Sequence, residues 1–196
     1  MFQIIILVAS SLALTAAVQF TDCTTDKSNA IVTVQQLDFS PSPLIFPGDV
    51  HFTLNLTAYQ PINYLFVDVV LEKKLLGIWT KVPCIRNIGT CNNIDFCPIL
   101  PTILNGSSLI SKELGQQIDT MLESALGHKL RCPIQPETLD IKDYTLSLQA
   151  VSSTLSWFSH GDYRIQISVK DDPTTTDNLG CIKFLAKIGV PTPGVG

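Results

Sequence analysis

The residues of this chain best suited to chemistry are six cysteines, three histidines and two tryptophans, and their spacing limits what that chemistry can be. The cysteines are Cys23, Cys84, Cys91, Cys97, Cys132 and Cys181. A zinc site would want short paired cysteine spacings with histidines close by. His51, His128 and His160 stand at no ligand-like interval from any cysteine, so no metal is expected. A hydrolase would need an activated nucleophile with a base in reach. The chain has no G-x-S-x-G elbow, no H-E-x-x-H and no phosphate-cradling glycine loop. His160, next to Gly161, reads as a solvated turn residue rather than a base. The reading is a non-enzyme with no catalytic residue and no cofactor.

The cysteines make better sense as disulfides, because the first segment reads as an export signal. Residues 1–17, MFQIIILVASSLALTAA, hold an apolar run from Ile4 to Leu14 and end on small residues. That run is well short of the roughly 20 residues a bilayer span requires. Residues 18–196 would then form one mature domain, secreted or lysosomal. Three disulfides suit that setting, and six cysteines permit 15 pairings. Two sequons, at Asn55 and Asn105, fit the same route.

The 13 Lys and Arg against 17 Asp and Glu give a net charge of -4, and the mean hydropathy is +0.29. An acidic chain lacks the basic stripe that displaces counterions from nucleic acid, so that partner is excluded. Protonating the three histidines would raise the charge from -4 toward -1. Binding to anionic membranes is therefore expected to strengthen at low pH.

Most of the chain alternates with period two, the pattern of antiparallel strands with one dry face. Phe52, Leu54 and Leu56 share one face, opposite Asn55. Tyr163, Ile165, Ile167 and Val169 share another, opposite Arg164 and Lys170. Tyr144, Leu146 and Leu148 oppose Thr145, Ser147 and Gln149. Further strands are expected near 31–39, 64–74, 76–82 and 179–188, which points to an all-β sandwich or cup. One segment departs from this. Between 109 and 126, Ile110, Leu114, Ile118, Met121, Leu122 and Ala125 recur at helical spacing. This insert reads as a helix on the sheet edge or a lid over an apolar opening.

The tryptophans fall at strand ends or in loops, in Ile78-Trp79 and in Leu155-Ser156-Trp157-Phe158. Either they fill a core, or they form an apolar rim that meets a membrane. The residues alone leave both readings open.

The stretches VVLEKKLLGIWTKVPC (69–84), IGTCNNIDFCPIL (88–100), LSWFSHGDYRI (155–165) and LGCIKF (179–184) resemble the ganglioside activator protein family, as does PGDVHFTL (47–54). These are lysosomal sphingolipid activators that serve β-hexosaminidase A, within the wider lipid-recognition superfamily. The resemblance covers nearly everything from Cys23 onward. It implies an antiparallel eight-stranded β-cup of immunoglobulin-like topology around an apolar cavity, here with one helical insert near 109–126. It also implies the pairs Cys23–Cys181, Cys84–Cys91 and Cys97–Cys132. By the same resemblance Ile78, Trp79, Leu155, Trp157 and Phe158 form a rim at the cavity mouth. Inward-facing Phe52, Leu54, Leu56, Ile165 and Ile167 would supply the lining. Three departures stand out: the family has eight cysteines, with Leu130 near one missing partner; the insert is longer; and the family's sequon after the Pro-Gly turn is replaced by Asp49-Val50-His51.

The function so implied is extraction of a glycosphingolipid or phospholipid from an anionic membrane surface and its presentation to a glycosidase. The other reading is a secreted lipid-binding module for lipid transport or immune sensing, with no enzyme partner.

Overall fold

The computed structural model describes residues 18–106, 111–148 and 160–189. The alternating segments become strands, which assemble into two sheets. The first carries β1 (Phe20–Asp22), β10 (Gly180–Gly189), β9 (Gly161–Lys170), β5 (Phe66–Leu75) and β6 (Ile78–Lys81) in that order. In addition, β3 (Leu44–Ile45) runs parallel to β10, and β7 (Cys91–Asp95) pairs with β5. The second sheet is β2 (Val32–Ser40), β4 (Asp49–Ala58) and β8 (Glu137–Ser147). Every strand pair except β3–β10 is antiparallel.

Two bulges reset the alternation where it would otherwise turn the wrong side chains inward. In β2 the inner face passes from Val32 and Val34 to Leu37 and Phe39, across a register shift between Val34 and Gln36. In β8 it passes from Leu139 and Ile141 to Tyr144 and Leu146, and Asp143 takes a positive φ of 45°.

The expected helix is present as α2 (Lys112–Leu126). Ser111 caps it by accepting the Leu114 N–H at 3.2 Å, and Gly127, at φ 77°, ends it with an N–H to Glu123 O. A second helix, α1 (Phe96–Leu104), precedes it and was not expected from the sequence. Its two prolines disguise it. Pro98 lies in the tolerated first turn, but Pro101 removes one internal hydrogen bond. Burial of Leu100 and the Cys97–Cys132 bridge hold it in place. Where α2 crosses the end of α1, Gly115 has no room for a side chain, since a Cβ there would lie 2.6 Å from Ile103 O.

The helices connect the two sheets, and α2 seals the free edge of β8. The Gln117 side-chain amide donates to Ser147 O at 3.1 Å and accepts the Ser147 N–H at 2.7 Å. That satisfies the Ser147 backbone, at the C-terminal end of a strand edge that would otherwise present unpaired groups. At the other end of α2, His128 Nε2 lies 2.8 Å from Glu137 Oε2. The Lys129 carbonyl and the Glu137 carboxylate raise the His128 pKa above its ordinary value. Cys23–Cys181, Cys84–Cys91 and Cys97–Cys132 are the bridges. Cys23–Cys181 ties β1's end to β10 over 158 residues, a closure worth about 5 kcal/mol at most in the chain-entropy account.

Candidate functional site: an apolar cavity between the sheets

The space between the sheets is packed at both ends and hollow in the middle. At one end Ile31, Ala58, Ile62 and Leu65 form a buried cluster, joined by Val169 and Phe96. At the other end Leu71, Tyr163 and Ala186 pack with Phe39 and Ile165. Between them lies a cavity of about 350 Å³. The second sheet lines it with Val34 and Leu37 of β2 and Phe52, Leu54 and Leu56 of β4. The first contributes Ile167 and Val169 of β9 and Ile182 and Phe184 of β10. These are the inward positions of each strand, as the cross-strand pairs Leu54↔Leu37 and Ile167↔Ile182 require. Of the five lining residues expected from the sequence, four border the cavity. Ile165 instead belongs to the packed end beside Leu71 and Tyr163.

Polar lining comes chiefly from Asp22 and Thr24, beside the Cys23–Cys181 bridge. The Thr24 hydroxyl and amide, then the Lys27 ammonium, bring the Asp22 pKa down to about 2. Asp22 Oδ1 accepts the Thr24 N–H at 2.8 Å, and Oδ2 pairs with Lys27 at 3.1 Å. This carboxylate is therefore ionised at any pH a lysosome or the extracellular space presents. Thr33 and Cys181 also border the space, and the remaining described walls offer hydrocarbon.

The rim residues separate. Ile78 and Trp79 are neighbours on β6, so their side chains leave opposite faces. Ile78 is paired with Leu75 at the tip of the β5–β6 hairpin and is 70% exposed. The two-residue turn between them, Leu76-Gly77, has φ of 50° and 87°, and Leu76 is wholly exposed. Trp79 lies on the outer face of the sheet, its ring 4.8 Å from the Arg164 guanidinium and 5.7 Å from the Lys74 ammonium. Leu155, Trp157 and Phe158 lie outside the described residues. Asn55 is on the outer face of the second sheet, donating to Asp140 Oδ1 at 3.2 Å, and Asn105 is exposed at the end of α1. Among the described residues no cluster of metal-ligating side chains occurs.

A two-sheet β-cup with a hydrocarbon-lined interior is the architecture of a lipid-binding domain. The family model for the ML domain matches residues 17–188, and the chain belongs to that family of lipid-binding domains. It is similar to the ganglioside GM2 activator of Macaca fascicularis, 27% identical over 85% of this chain and 80% of that protein. The ganglioside GM2 activator of Mus musculus is 26% identical over 85% of this chain and 79% of the relative. Among solved structures, a Niemann-Pick type C2 protein from Japanese carpenter ant aligns at a TM-score of 0.42 and 13% identity, covering 87% of this chain and 99% of that one.

Proposed function

We propose that this protein is a non-catalytic lipid carrier of the secretory pathway. It withdraws a glycosphingolipid from a membrane, holds its hydrocarbon between the sheets and presents the headgroup to a lysosomal glycosidase. The observation that carries the reading is the apolar cavity of about 350 Å³, within the size range of ligand sites. Two lipid chains with on the order of 30 methylenes would cost roughly 25 kcal/mol to expose to water. An apolar enclosure offsets this for the length of chain it holds, because that length passes from one dry environment to another. The names of the ganglioside activator relatives support a glycolipid ligand and an activator role. Residues 1–17 supply export, and the three bridges suit an oxidising compartment.

The test is native mass spectrometry of the deglycosylated protein, followed by extraction of whatever it retains. A co-purifying lipid is the expected result. A protein that emerges empty and takes up no fluorescent lipid from vesicles would overturn the carrier reading. Stimulation of a hexosaminidase acting on micellar ganglioside tests the enzyme partner. Lipid uptake without stimulation would leave a transport module.

A further inference from the structure

The charge of this acidic chain is unevenly distributed. The strand register places Glu72, Lys74, Trp79 and Lys81 of β5 and β6 on the outer face of the first sheet. The same face takes Asp162, Arg164 and Gln166 from β9, and Lys183, Leu185 and Lys187 from β10. With Lys170 and Asp68, which pair with each other farther along the same face, six of the chain's 13 cationic side chains share the outer face of these four strands with three of its 17 carboxylates. Arg164 bonds Glu72 at 2.6 Å, and Lys187 stands 3.9 Å from Asp162. Lys74, Lys81 and Lys183 form no ion pair among the described residues. Apolar surface is interleaved with these charges. The Trp79 ring lies within cation–π distance of both Arg164 and Lys74, and Leu185 is 58% exposed. The face runs directly into the hairpin tip, where Leu76 and Ile78 are exposed.

We propose that this outer face, with the hairpin tip, is the surface by which the protein lies on an anionic bilayer. Cations interleaved with indole and leucine, bordered by exposed aliphatic side chains, match a headgroup layer with hydrocarbon beneath. An acidic protein partner would match the lysines but gives Leu76 nothing to enter. Trp79 becomes an interfacial residue on the sheet's outside, while the lipid is held on its inside. Asn55, a sequon, is on the opposite sheet's outer face, where a glycan would leave this contact clear. The cations are lysines and an arginine, so the attraction operates at neutral pH as well as in acid. The inference rests on the carrier reading for its setting, and its test is separate.

The test compares Lys81→Glu/Lys183→Glu with Lys112→Glu/Lys142→Glu, a pair with the same change in net charge at exposed sites elsewhere. Binding is measured to phosphatidylcholine vesicles with and without about 30 mol % phosphatidylserine. The sheet-face pair is expected to lose about 25-fold or more in affinity for the anionic vesicles, at about fivefold per lysine. The other pair is expected to lose less than about twofold. Equal losses would mean that net charge, not this face, governs binding. No loss in either, or no binding by the native protein, would equally overturn the proposal. Lipid retained by both variants in native mass spectrometry shows that the cavity is intact, so a failed surface is distinguishable from a failed carrier.

Discussion

The outer faces of the two sheets are built on different chemistry. On the first, charge and aromatic surface are combined: Arg164 stacks on Trp79 while bonding Glu72. Arg164, Lys183 and Lys81 all bear on Glu72, holding its pKa below the ordinary carboxylate value, with the Arg164 hydrogen bond the main cause. Toward the far end Lys170, only 7% exposed at its side chain, reaches Asp68 at 2.9 Å and Asn93 Oδ1 at 2.8 Å. The second sheet faces outward with hydroxyls and amides. Thr57 meets Thr138 at 3.1 Å, and Asn55 meets Asp140. That face is well hydrated and carries the sequon, and its charge is mostly acidic: Asp38, Asp49, Asp140 and Asp143 stand there with Lys142 and His51. The contrast is what the proposed orientation requires of two similar-looking β surfaces, a bilayer against one and water and sugar against the other.

The most direct way to break the contrast is to put a sugar on the wrong side. Gln166 sits in the middle of the first sheet's outer face, in register with Lys183 and Val70, and Ser168 stands two residues on. Gln166→Asn therefore completes a glycosylation signal there. In a glycosylating host, affinity for anionic vesicles is expected to fall by on the order of 100-fold, because several lysines lose headgroup contact at once. Enzymatic deglycosylation should restore it, and Asn55→Gln on the other sheet should change nothing. A glycosylated Gln166→Asn protein that binds as before would remove the first sheet from the membrane.

A smaller effect, on stability, sharpens the same comparison. Lys170→Ala takes the ammonium away from Asp68, which keeps only the Asn93 N–H, and from Asn93 Oδ1. Breaking an enclosed ion pair in this way is expected to cost about 3 kcal/mol. Thr57→Val removes one exposed hydroxyl contact on the other sheet and should cost under about 1 kcal/mol. Urea titrations of the two variants measure the difference. Equal costs would mean that Lys170 is no more than a surface residue.

Much of the scaffold could be read from side-chain alternation. The Phe52–Thr57 run lies within β4, and Tyr163–Lys170 within β9. The helical spacing over 109–126 became α2 once Ser111 capped it. What could not be read depends on register. The bulges in β2 and β8 decide that Leu37 and Tyr144 face inward, and they are set by pairing with β4. The basic face is composed of residues 72–81, 162–166 and 183–187, which the sequence separates and β9 brings together. Trp79 was legible in part. Alternation alone says that it cannot share a face with Ile78, whereas grouping residues by resemblance set the two side by side.

The smallest expected effect concerns the hairpin tip, where stability and membrane contact are set against each other. Leu76 holds a left-handed φ of 50°, a conformation that costs a branched side chain roughly 1 kcal/mol. Its side chain is fully exposed and has no buried contact in return. Asparagine adopts this conformation readily and favours the first position of such a two-residue turn before glycine. Leu76→Asn should therefore raise stability by about 0.5 kcal/mol while weakening vesicle binding several-fold, since the leucine would otherwise enter the acyl boundary. The gain should appear in denaturant midpoints without lipid, and the loss with neutral as well as anionic vesicles. That separates the apolar tip from the charged face beside it, whose variants should respond to phosphatidylserine alone. A Leu76→Asn protein that is more stable and binds vesicles unchanged would place the tip outside the membrane and leave the basic face to hold the bilayer unaided.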